Sequence, residues 1–102
     1  MPQIPESYSR FRETYSEVWQ AYDRLGAAVH GAGSLDEKQR ALVKLGQAIG
    51  VQQEGAVHAH VRKALDVGLS TDEIRHAVLL AIPTLGFPAA MAALTWAEDI
   101  LT

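Results

Sequence analysis

The stretch VQQEGAVHAHVRKALDVG, residues 51–68, decides how the rest of the chain is read. On a period of 3.6 residues, Ala56, Val57, His60, Val61, Ala64 and Leu65 share one face of a helix. Glu54, His58, Arg62 and Asp66 recur at steps of four along a second, charged face. At about 100° per residue, His58 and His60 point about 200° apart, so the His-x-His pair is not by itself a metal chelate. His60 is the inward histidine and the one chemical handle in the apolar stripe. His58 is expected on the solvated face, with His30 at a helix end and His76 on the surface.

Working outward, Gly68 suits the left-handed residue that closes a helix. Ser70-Thr71-Asp72-Glu73 then reads as a capping box, in which hydroxyl and carboxylate each satisfy an orphan amide. Ile74, Ala77, Val78, Ala81, Ile82 and Leu85 continue inward, and Pro83 is expected to kink or end that helix. Gly86-Phe87-Pro88 restarts the chain into PAAMAALTWAEDIL, apolar nearly all round. Upstream, Ser34-Leu35-Asp36-Glu37 predicts another capping box, for a helix with Leu42, Leu45, Ala48 and Ile49 inward. In that reading Lys38, Arg40, Lys44 and Gln47 face outward, Gly50 stops the helix, and Gly46 hints at close helix approach. Before it, Tyr8, Phe11, Tyr15, Val18, Tyr22, Leu25 and Val29 alternate in steps of three and four, the stripe of one long helix. No strand-type alternation of useful length occurs. Two successive helices apolar on most sides have too few internal partners in a short chain, so their burial needs another subunit. The expectation is all-α, five to six helices, and oligomeric.

Composition narrows the function classes. A chain of 102 residues fits one domain, 1–102, and buries roughly two thirds of its unfolded surface. With 48% apolar and 21% charged residues it is ordinary globular material. A net charge of −3 gives no electrostatic footprint for nucleic acid or an anionic membrane, and neither is expected as a partner. There is no cysteine, which removes disulfides, thiolate metal sites and cysteine nucleophiles together. No metal and no cofactor is expected. The start, MPQIPESYSRF, lacks a basic and an apolar signal region, and no window approaches a transmembrane span, so a cytoplasmic protein is expected.

The run HVRKALDVGLSTDEIRHAV, followed by GFPAAMAALTWA, resembles the carboxymuconolactone decarboxylase family, which includes the alkylhydroperoxidase D (AhpD) core domain. LDEKQRALVKLGQAIG resembles the family's preceding helix, and residues 1–33 form a family-variable N-terminal helix. The resemblance implies an AhpD-like helical bundle assembling into trimers or hexamers. It also implies two chemistries. The peroxidase branch resembles Glu-x11-Cys-x2-Cys-x3-His; with its histidine at His60, the cysteine positions fall at Ala56 and Gln53 and the glutamate position at Ala41. A thiol peroxidase needs a thiolate and a resolving thiol, and this chain has neither. The decarboxylase branch resembles N-R-x-Y-E-L-x-x-H, where His60 again matches the histidine while Ala56 replaces the acidic residue. An anionic substrate would also call for an inward lysine or arginine, and the inward stripes offer none. Two functions follow as expectations. One is an oligomeric binding or accessory protein that keeps the scaffold without the peroxidatic cysteines. The other is a cysteine-independent acid–base enzyme acting on a small organic acid or lactone, with His60 carrying the proton and Gln53 and Ala56 at the substrate.

Overall fold

The computed structural model describes residues 4–102, and every described element is helical. The helices are α1 (Glu6–Thr14), α2 (Ser16–His30), α3 (Glu37–Gly50), α4 (Glu54–Asp66), α5 (Thr71–Leu79), α6 (Ala81–Leu85) and α7 (Phe87–Leu101). The all-α expectation holds, with two of the expected helices each divided in two. The chain divides into two compact units, the boundary in sequence falling between Leu35 and Asp36.

The first unit contains α1 and α2. Tyr15, between them, leaves the helical region at φ −119°, ψ 53°. A straight helix would hold the Cα atoms of Tyr8 and Trp19 roughly 16 Å apart. The bend instead lets Trp19 Nε1–H donate to the Tyr8 hydroxyl at 2.8 Å. Arg12 places its guanidinium 5.3 Å from the Trp19 ring centre, and the Phe11 and Tyr15 rings lie 5.8 Å apart. Neither helix has a buried residue.

The second unit is built around α4, which packs on α3 and α7. Its Val57, Val61 and Ala64 are fully buried against Leu45, Ala48 and Ile49 of α3. On the other side α7 offers Ala90, Ala93 and Ala97, small residues at helical spacing that admit close approach. Ile74 and Val78 of α5 and Ala81 of α6 complete the core. No polar side chain is buried among the described residues. No described helix is long and apolar enough to cross a membrane.

Local signals set the helix ends. Ser70 and Glu73 form the expected capping box. The upstream box is shifted by two residues: Asp36, extended at φ −79°, ψ 176°, accepts from the Gln39 amide at 2.8 Å, while Gln39 Oε1 accepts from the Asp36 amide at 3.0 Å. Both registers satisfy the cap pattern, and Asp36 with Gln39 is the pair that closes. Gly68, at φ 94°, ends α4, with its own amide bonded to Leu65 O and that of Leu69 to Ala64 O. α3 ends at Gly50, as expected, although Gly50 is not the left-handed residue. The left-handed residue follows two positions later, at Gln52 with φ 55°. Adding a Cβ to Gly46 would meet nothing within 4 Å, so this glycine marks open space rather than close helix approach.

Candidate functional site

The motif positions lie on the first half of α4 and on the face of α3. Gln53 is the N-cap of α4, extended at φ −114°, ψ 116°, and its Oε1 accepts the Ala56 amide at 2.6 Å. That bond places the Gln53 carbonyl oxygen in the role of a helix cap. Ala56 is half-buried against the core, and so is Ala41 of α3, the position of the peroxidase-type glutamate. His60 follows one turn after Ala56 and is half-buried.

The surroundings of His60 are cationic. Its pKa is lowered from 6.5 to about 4, first by burial and then by the positive charges of Lys63 and Lys44. The ring is therefore neutral at neutral pH. Lys44 is itself held below the usual lysine range, by burial first and then by Lys63 and Arg40. The sequence reading turned Lys44 and Arg40 outward; both are half-buried, and Lys44 lies close enough to His60 to act on it. The available signal was positional: Lys44 stands three residues after Ala41 and next to Leu45, on the flank of the inward stripe.

His58 also departs from a purely solvated residue. It is half-buried, its Nε2 is 2.9 Å from Asp99 Oδ2 on α7, and Glu54 Oε2 lies 4.0 Å away. Glu54, His58 and Asp99 each offer a ligand atom within 4.8 Å of the others, making them the described residues able to hold a metal ion.

A concave surface lies elsewhere. A groove of about 480 Å³ runs between α3, α5 and α6, walled by Leu42, Gly46, Ile49, Ala77, Leu80, Ala81 and Leu85, with Glu73, His76 and Thr84 supplying polar groups. The Ser70 amide and hydroxyl, bonded to the Glu73 carboxylate, hold its pKa below the ordinary glutamate value. His60, Gln53 and Ala56 do not line this groove. The sequence reading missed it, since it is formed by three helices that share no short motif.

Comparison with known proteins agrees with this architecture. An uncharacterized protein of Haemophilus influenzae is 33% identical over 61 residues, covering 60% of this chain. The chain spans about half, 54%, of that relative's length. The crystal structure of a carboxymuconolactone decarboxylase family protein from Legionella pneumophila superimposes with a TM-score of 0.75 over 94% of this chain and 88% of its own. Identity there is 22%, so that likeness establishes the fold alone. The model of the carboxymuconolactone decarboxylase family matches residues 16–99, and the chain belongs to that family.

Proposed function

We propose that this protein is a cysteine-free family member that retains the scaffold as a self-associating binding or accessory protein, and that its ligand is a small uncharged apolar molecule of the lactone type held in the α3–α5–α6 groove. One observation carries the reading: the groove and the motif imidazole are separate. Binding sites are concave and mostly apolar, with a few convergent polar groups, and the groove has that character. A catalyst also needs its proton carrier within hydrogen-bond reach of the bound substrate. His60 does not line the groove. Self-association into trimers or hexamers is part of the same reading, supported by the exposed apolar stripe of α2.

A specific observation favours a second reading. Lys44 and Lys63 surround His60 with the positive charge that a carboxylate substrate requires. On that reading the protein is a cysteine-independent acid–base enzyme with His60 as its proton carrier. A thermal-shift screen of small carboxylic acids and lactones separates the two, using Gly46→Leu to fill the groove and His60→Ala to remove the imidazole. Gly46 has open space for a Cβ and leucine is the better helix former, and circular dichroism checks that the variant folds. Shifts lost in Gly46→Leu and kept in His60→Ala support groove binding. The opposite pattern supports the enzyme, and no shift in the wild type refutes a small acid or lactone as ligand.

A further inference from the structure

Two turns of α4 and the last turn of α7 bring together side chains that neither functional reading uses. Glu54 and His58 stand one turn apart on α4, and Asp99 meets them from α7. The His58 side chain is 23% exposed and is directed at its partners, whereas Glu54 at 59% and Asp99 at 50% remain open to solvent. His58 Nε2–H donates to Asp99 Oδ2 at 2.9 Å, with Glu54 Oε2 at 4.0 Å.

The electrostatics are unbalanced at this point. Glu54 and Asp99 both face the His58 imidazole, at 4.0 and 2.9 Å. With the imidazole uncharged, two carboxylates face each other across it. Asp99 also sits at the C-terminal end of α7, where the helix dipole is already negative and no basic residue occupies the last turn. Its neighbour Glu98 is answered by Arg75, which donates from Nε and Nη2 at 2.7 and 2.9 Å. Asp99 instead meets the His58 imidazole.

We propose that Glu54, His58 and Asp99 form a binding site for a divalent transition-metal ion of the zinc type, which fastens α4 to α7. Around an ion at about 2.0–2.2 Å from each donor, ligand atoms stand roughly 3–3.5 Å apart. The existing separations contract to that range by rotation of the exposed Glu54 side chain. His58 takes the Nδ1–H tautomer, so that the Nε2 lone pair faces the ion in place of the shared proton. Two carboxylates neutralise a dication, and three protein donors leave a position for water. One imidazole with two carboxylates suits zinc, with manganese next, and disfavours soft cuprous ions. The site lies outside the groove and is independent of what the groove binds.

The experiment is a calorimetric titration of the metal-stripped full chain with zinc chloride, paired with ¹⁵N NMR of its imidazoles. The expected result is one zinc per chain, with the His58 Nε2 resonance moving in step with occupancy. Asp99→Asn and His58→Gln should each weaken binding by about tenfold or more, and zinc should raise the melting temperature of the wild type but not of Asp99→Asn. Circular dichroism checks that both variants fold; should either fail, the NMR titration of the wild type decides alone. Dissociation constants no tighter than about 1 mM, or binding that leaves the His58 resonance unmoved, overturn the proposal. Equal affinity in a folded Asp99→Asn overturns it as well.

Discussion

The α2 stripe yields the sharpest test of self-association. Val18 is 58% exposed, Tyr22 66%, Leu25 61% and Val29 61%, and α2 buries no residue. Helices of nine and fifteen residues are marginal when nothing packs against them. Full burial of a large apolar side chain is worth about 1.5–3 kcal/mol. With some three fifths of each surface still open, cover by a partner leaves roughly 1–2 kcal/mol per side chain, or about 4–7 kcal/mol for the four. The partner's own apolar surface contributes a similar amount, so the total of roughly 8–14 kcal/mol is comparable to an association cost of about 4–15 kcal/mol. Leu25→Asp removes one such contribution and sets a carboxylate in the apolar contact, at a further cost of about 2 kcal/mol or more. The dissociation constant should rise by about a hundredfold or more, since each 1.4 kcal/mol or so is a factor of ten. Sedimentation velocity over about 1–100 µM checks this, with circular dichroism confirming that the core of residues 36–102 is intact. A wild type that stays monomeric throughout refutes self-association. An oligomer that persists unchanged in Leu25→Asp refutes the stripe as its interface.

Three further outcomes are expected. Gln52→Gly should stabilise the chain by roughly 0.5–1 kcal/mol, because a non-glycine residue at φ 55° carries a strain that outweighs glycine's entropic cost; a melting temperature that fails to rise by a few degrees contradicts this. Acid should destabilise the protein in two steps, read as the urea midpoint between about pH 3 and 7 in the presence of EDTA. In the upper step, the unfolded chain protonates His60 near 6.5 while the folded chain resists until about 4, so stability falls across that window, and His60→Gln should flatten it. In the lower step, the Arg75 hydrogen bonds hold the Glu98 carboxyl below 4.5, so its contribution is present above that value and disappears as pH falls through the folded value; Glu98→Gln should shrink this step to the part that Glu73, held low by Ser70, still contributes. Finally, dithiothreitol-fed hydroperoxide consumption should not exceed the buffer rate, because the chain has no cysteine. Turnover above it would show a peroxide chemistry without thiols.

The parts of the fold governed by near neighbours in the chain were legible in the sequence. Ser70 with Glu73 and the closing Gly68 act over one turn, and periodicity put Val57, Val61 and Ala64 on the buried face of α4. The bend at Tyr15 was not legible, since the three-and-four stripe runs through it without a glycine or proline to mark it. Two cap patterns overlapped at Ser34 and Asp36, and only the backbone conformation distinguishes them.

The candidate sites were legible to the extent that α4 alone defines them. The geometry of one helix places His58 and His60 on opposite sides, but it carries no information about which helix covers each side. Packing on α3 adds Lys44 to the Lys63 that α4 itself places one turn from His60, and burial with positive charge keeps the ring neutral. Packing on α7 gives His58 the Asp99 carboxylate, forty-one residues away in sequence. The two imidazoles thus share a helix and a chemistry, and differ in the sign of the charge that the fold places beside them. The consequence is a selectivity that no reading of the motif contains: an anion is drawn to the His60 side of α4 and a cation to the His58 side. A carboxylate should therefore perturb the His60 ring and zinc the His58 ring, each leaving the other in place, and in a single NMR sample the exchange of those two responses would refute both assignments together.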